Sequence, residues 1–324
     1  MTDDSGPSRE PEQARSPHRA TRREPALEVS GVLNIDKPLG LSSHDVVNRV
    51  RRITNQKRIG HTGTLDPAAT GVLVLCLGQA TRIAEYVTDA RKVYRATVRL
   101  GITTSTWDRE GEVTGESDIA DLTLAAIEGA LGTFVGEIWQ VPPMYSAIKH
   151  EGKPLYKLAR RGVDVEREPR QVTIYALELE AWQPPDLTLR VICSKGTYIR
   201  ALAYDLGQAL GPGAHLAGLR RLAVGQLVAE DAISLDTLHD AEAGGAWQRY
   251  VRPMRDALQH MPSVVLQAAD EARVRFGQTV ALQADADQGL HCAYDANGEL
   301  IAILRFSVAQ AAWQPIKVLS VRAP

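Results

Sequence analysis

The sequence predicts an α+β fold, a mixed sheet flanked by helices and followed by a small β-rich unit. Three observations predict it. The run 71-GVLVLCLG-78 is apolar without a break, the mark of a strand buried on both faces. The neighbouring segments 172-VTIYALELEAW-182 and 187-LTLRVICSKG-196 read as strands paired in the manner of a hairpin. Strands and helices alternate irregularly along the chain, which suits a mixed sheet better than a doubly wound parallel one.

Each element has its own local reason. Residues 31–60 read as a short strand, a Pro-Gly turn, and a helix capped by Ser42 or Ser43, with Val46, Val47, Val50 and Ile53 at helical spacing and the arginines opposite. In 60-GHTGTLDPAATG-71, Asp66 followed by Pro67 and two alanines has the form of a helix start, the acid capping backbone N–H groups and Pro67 lying in the first turn. Over 92-KVYRATVRLGI-102, Val93, Arg95, Thr97 and Arg99 alternate with Tyr94, Ala96, Val98 and Leu100, as in a strand with two unlike faces. Residues 120–134 look helical, and 197-TYIRALAYDLGQALG-211 is an amphipathic helix ended by Gly211. From about 262 the text becomes short alternating strands with a turn signal at Asp295-Ala296-Asn297-Gly298, after a helical connector over 237–261.

Length and composition bound the function. A chain of 324 residues is long enough for two domains; 44% hydrophobic and 23% charged residues are those of an ordinary globular protein. No apolar run reaches the roughly 18 residues of a membrane span. The first 29 residues mix Pro, Ser, Glu and Arg with almost no apolar periodicity and are expected to be disordered. They lack the apolar segment of a secretory signal, so the cytoplasm is the expected location. Cys76, Cys193 and Cys292 have no metal-ligand spacing, no histidine partner pattern exists, and the glycines around 60–71 match neither a dinucleotide fingerprint nor a P-loop. No metal or cofactor is expected.

The net charge of −2 argues against a generic nucleic-acid binder, but the charge is segregated. Arg49, Arg51, Arg52, Lys57 and Arg58 precede the Asp66 stretch, and Lys149, Lys153, Lys157, Arg160, Arg161, Arg167 and Arg170 crowd a later one. Residues 228–300 hold five Arg against twelve acids. A neutral protein can therefore present an electropositive face. In the basic excursion at about 140–170, Tyr145 and Tyr156 stand among the cations, a pattern that suits stacked bases and tracked phosphates and equally an exposed helix with packing tyrosines.

Four separated stretches carry a specific resemblance: 33-LNIDKPLGLSSHD-45, 60-GHTGTLDPAATGVL-73, 92-KVYRA-96 with 100-LGITTSTWDREG-111, and 194-SKGTYIRALAYDLG-207 with 214-AHLAGLRRLAVG-225. Together they resemble the bacterial TruB-type tRNA pseudouridine synthases, which isomerise uridine 55 in the T-loop of tRNA. The resemblance implies a pseudouridine synthase core over residues 30–250 built on a largely antiparallel sheet, and residues 262–324 loosely resemble the family's C-terminal PUA-type RNA-binding domain. It implies that Asp66 is the catalytic carboxylate, that Tyr94 stacks on the flipped base, and that Arg200 pairs with Asp66. His61, Tyr198, Lys37 and Leu219 match further substrate-binding positions. The implied partner is tRNA, held through its T-arm by a monomer; no membrane, guide RNA or obligate protein partner is expected, since the 140–170 excursion matches a segment of stand-alone members. A non-catalytic RNA-binding or tRNA-folding protein on the same architecture is the alternative. One detail departs from the pattern: Ser105 stands where the family often has an acid, and Trp107 where a small residue is usual.

Overall fold

The computed structural model describes residues 28–319, apart from 147, 151, 160 and 285–288. The expected disordered tail lies outside the described residues but for Glu28 and Val29. Strand β1 (Gly31–Lys37) leads into α1 (Ser43–Thr54), where Ser42 and Asp45 form a reciprocal capping box and Asn55 ends the helix in the left-handed region. Strands β2 (Ile59–His61) and β3 (Ala69–Leu77) follow, then a 3₁₀ turn, α2 (Ala84–Asp89) and β4 (Lys92–Leu100). The short pair β5 (Ile102–Thr104) and β6 (Val113–Glu116) precedes α3 (Leu124–Thr133) and β7 (Gly136–Gln140). The basic excursion holds β8 (Lys149–His150), β9 (Lys153–Pro154) and α4 (Leu155–Ala159). Strands β10 (Arg170–Gln183) and β11 (Asp186–Cys193), helix α5 (Ile199–Leu210), β12 (Ala214–Val224), β13 (Leu227–Val228) and α6 (Leu235–Ala243) complete this part.

Among the described residues the main sheet has nine strands in the order β1-β3-β12-β4-β11-β10-β7, with β2 beside β3 and β13 beside β12. Only the β3–β12 pairing is parallel, so the sheet is mixed and largely antiparallel as expected. That junction needs Gly71: its φ is +98°, and a Cβ there would lie 2.2 Å from the Arg221 carbonyl oxygen.

The two-sided burial of β3 follows from the period of two along a strand. Leu73, Leu75 and Leu77 pack with Val46, Val47 and Val50 of α1 and Leu238 of α6. Val72, Val74 and Cys76 face the other way. Farther along the sheet, Ala96, Val98 and Leu100 of β4 pack under Ile127 of α3 and Leu202 and Leu206 of α5.

The connector after residue 243 contains two 3₁₀ turns, Trp247–Tyr250 and Met254–Ala257. Its chain bridges back to the sheet, Arg252 exchanging backbone hydrogen bonds with Val32 at 2.8 and 2.9 Å. A second sheet, β14 (Ser263–Val265), β15 (Leu290–Tyr294), β16 (Leu300–Ser307) and β17 (Ala312–Val318), is packed by α7 (Ala268–Arg275). It has a core of its own around Trp313, Ile301 and Leu304. Cys292, Leu300, Ile303 and Leu319, however, join the cluster of Val72, Val74, Cys76 and Ile83.

Candidate active site

The Asp66 turn is not a helix start. Residue 69 already enters β3, Ala69 N–H donates to the Asp66 carbonyl at 3.0 Å, and the Asp66 side chain caps nothing. Strand pairing with β1 and β12 prevails over the local preference of the Asp-Pro-Ala-Ala sequence. The turn is fastened from several elements. Ser43, the first residue of α1, accepts from Leu65 N–H at 2.8 Å and donates to Leu65 C=O at 3.0 Å. Lys37 Nζ donates to the carbonyls of Pro38 (3.0 Å), Leu41 (2.5 Å) and Pro67 (3.5 Å). From β12, the buried Arg221 donates to Val72 C=O at 2.7 Å and to Gly63 C=O at 3.1 Å.

So freed and fixed, the Asp66 carboxylate meets Arg200 of α5, Oδ2 to Nη2 at 3.0 Å. Arg200 is 6% exposed and Asp66 40%, so the guanidinium is enclosed while the acid is part-exposed. Arg200 also faces Asp108 at 3.4 Å and donates to Tyr145 C=O at 2.8 Å. Asp108 is held by the Thr106 hydroxyl and by Glu110 N–H. Two carboxylates thus share one buried guanidinium, with Lys37 close enough to act on Asp66 electrostatically. Burial pushes the Asp66 carboxyl above its ordinary pKa; Arg200 opposes this, Asp108 adds to it, and Lys37 opposes it. Burial likewise lowers the Lys37 ammonium to about 8, with Asp66 opposing and Arg221 adding.

Tyr94 comes from β4, on the face that packs under α5, and is 8% exposed. Burial raises its phenol, while Arg221 opposes. Leu219 of β12 sits opposite Ala69 and Ala96 and packs on the same cluster. Tyr198 precedes α5, its backbone exchanging hydrogen bonds with the Gln140 side chain at 3.1 and 3.3 Å, which ties the end of β7 to the start of α5. His61 closes β2 at the near end of the Asp66 turn. Its Nδ1 is buried without a partner, and burial, with Arg221 and His44, lowers its pKa, so the ring is neutral near pH 7.

Sequence reasoning missed Asp108 and Arg221. Arg221 sits in the quoted LAGLRRLAVG segment and Asp108 in TWDREG, but a lone acid or arginine in such a stretch carries no sign of burial. The unusual Trp107 is accommodated in the left-handed region at φ +62°, its ring stacked on Tyr204 of α5 at 4.5 Å with the Arg167 guanidinium 5.8 Å from its centroid. Of the basic excursion, Lys153 and Arg161 are exposed, Arg167 donates to Pro142 C=O at 3.1 Å, and Lys149, Lys157 and Arg160 lie outside the described side chains.

The mixed sheet and its flanking helices are those of the pseudouridine synthases, as solved structures show. One is titled as an H/ACA RNP bound to a substrate RNA containing 2'-deoxyuridine (TM-score 0.70, 27% identity, 90% of this chain and 86% of that one). Another is titled as the archaeal box H/ACA sRNP Nop10-Cbf5 complex (TM-score 0.69, 28% identity, 90% and 86%). The chain belongs to the TruB family of pseudouridylate synthases: the model of the family's N-terminal domain matches residues 51–199, and that of the tRNA pseudouridylate synthase B C-terminal domain matches residues 200–259. Curated relatives include tRNA pseudouridine synthase B of Burkholderia mallei, 48% identical over 86% of this chain and 94% of the relative. That of Cupriavidus metallidurans is 49% identical over 88% and 94%.

Proposed function

We infer that this chain isomerises uridine 55 in the T-loop of tRNA to pseudouridine, with Asp66 as the reacting carboxylate. The observation that carries the reading is the ion pair between half-open Asp66 and enclosed Arg200, beside Tyr94. In the reaction the N1–C1′ bond breaks, the C5–C1′ bond forms, C5 loses a proton and N1 takes one up, so atoms and electrons balance without a co-reactant. Attack on the ribose, attack on the pyrimidine and removal of a sugar proton all need an ionised carboxylate. Arg200 supplies that condition in a pocket that would otherwise favour the neutral acid.

The uridine has to leave its stack, at a cost of a few kcal/mol that contacts in the pocket must offset. Tyr94 stacks on the extruded base, and Leu219, Tyr198 and Lys37 wall the pocket. A neutral His61 suits a base contact better than a phosphate. The basic excursion tracks the T-arm backbone and allows the protein to work as a monomer without a guide RNA, while residues 262–324 serve as a PUA-type contact to tRNA.

Incubation with an unmodified tRNA transcript, followed by mapping of pseudouridine, tests the reading. Modification at position 55 by the intact protein is expected, with Asp66→Asn inactive and tRNA affinity within a few-fold, because phosphate contacts dominate affinity. Turnover by Asp66→Asn would remove Asp66 from the chemistry, and binding without any modification by the intact protein would leave only an RNA-binding role.

A further inference from the structure

We propose that the C-terminal end of α1 is a second binding site for RNA phosphodiester, on the opposite side of the catalytic turn from the basic excursion; the proposal rests on the substrate being RNA. Arg51, Arg52, Asn55, Gln56 and Lys57 line an open hollow of about 480 Å³ there. The sequence from Val46 to Leu65 contains no acid at all and five cations. Among the described residues none of the five is ion-paired, whereas Arg95, Arg99, Arg190, Arg220, Arg252 and Arg275 each face a carboxylate within 4.0 Å.

The helix macrodipole accounts for cations in the last turn, Arg51 and Arg52. It does not account for Lys57 and Arg58 beyond the helix end, or for an uncompensated cluster whose self-repulsion disfavours the compact state. An anionic ligand relieves that repulsion. Arg51 is the rigid floor, donating to Asn48 Oδ1 at 3.2 Å and to Ile59 C=O at 2.8 Å. Arg52, whose Nε donates to Asn48 C=O at 3.4 Å, and Lys57 are exposed and within reach of a ligand.

Position makes RNA the occupant. The first residue of α1, Ser43, is hydrogen-bonded to Leu65, the neighbour of Asp66. The helix has 12 residues, so its far end stands about 18 Å from the catalytic turn. Phosphates recur every few ångströms of helix axis along a nucleic-acid strand, so a bound RNA whose uridine is at Asp66 carries several within that span. In the sheet order, β1 and α1 stand at one end and β7, which leads into the basic excursion, at the other. An RNA lying across the site is then gripped from both sides.

The test is Arg52→Gln/Lys57→Gln, with Arg52→Glu/Lys57→Glu as the stronger variant. Binding of a T-arm hairpin and of full-length tRNA is measured against KCl, with thermal melting as the folding control. Two lost phosphate contacts should flatten the slope of log K against log salt by about 1.5 to 2. They should also raise KM several-fold at low salt with kcat unchanged, and more for the Glu pair. Loss with both RNAs places the phosphates in the T-arm, and loss with full-length tRNA alone places them elsewhere in the molecule. Unchanged slopes with both RNAs in folded variants overturn the proposal. Because the readout is binding, its failure is distinct from failure of the uridine 55 reading, which appears as absence of pseudouridine with the unaltered protein.

Discussion

At the residue scale the site turns on what surrounds one carboxyl. Burial raises the Asp66 carboxyl above its ordinary pKa, and Arg200 is the largest influence opposing that rise. Removing Arg200 takes away the largest opposing influence, so the Asp66 pKa should rise further and the acidic limb of the rate profile should move to higher pH. With Arg200→Ala we expect a loss of about 10²-fold or more in single-turnover rate near neutrality, partly recovered as the pH is raised. A profile whose acidic limb stays in place would mean that Arg200 does not act through the Asp66 charge. The sequence carried Asp66, Tyr94 and Arg200 by resemblance. It did not show that Asp108 also holds Arg200, because a salt bridge between residues 92 positions apart leaves no local pattern.

At the element scale the proposed role of Asp66 rests on how the turn before β3 is fastened. Ser43→Ala leaves both the N–H and the C=O of Leu65 without their partner, a cost of about 1–3 kcal/mol for a buried polar group. The expected outcome is a lower melting temperature and a fall in kcat larger than any change in KM, since the acid loses its placement while the RNA contacts remain. A full loss of RNA affinity with unchanged melting would contradict this. Periodicity showed α1, β4, β10, β11 and α5 in the sequence because each has an apolar face, and β3 was legible as an unbroken apolar run. It failed at the Asp66 turn, where Asp-Pro-Ala-Ala resembles a helix start but strand pairing decides. It was also silent on β12, whose LAGLRRLAVG text alternates poorly because Arg221 is buried there and fastens the turn to the sheet.

At the scale of the whole molecule the two sheets share apolar surface. Cys292, Leu300, Ile303 and Leu319 complete the cluster on the far face of β3, and the junction is reinforced by Arg82 donating to Val318 C=O at 2.6 Å and Lys317 to Arg82 C=O at 2.7 Å. Each such side chain stabilises by roughly 1.5–3 kcal/mol when fully buried, and a domain of this kind has only about 5–15 kcal/mol in total. Deleting residues from 260 onward should therefore abolish the cooperative melt or lower it by more than about 10 °C. An undiminished melt and unchanged kcat on a T-arm hairpin would show that the shared cluster is dispensable. Composition indicated a β-rich C-terminal unit, but an apolar residue in a sequence does not say which of two cores it will enter.

The parallel pairing of β3 with β12 has a consequence for synthesis. Asp66 leaves the ribosome about 150 residues before Leu219, which at roughly 5–20 residues per second is an interval of about 8–30 s. Through that interval the VLVLCL run has its β1 and β2 neighbours but not the strand that covers its other edge near Ala69–Gly71, nor the C-terminal residues that seal its far face. The nascent chain is then a sticky, half-built sheet, and binding of a general chaperone should concentrate on ribosome-bound chains that end between about residues 80 and 224. Catalytic competence should switch on abruptly, late in translation, instead of growing with chain length.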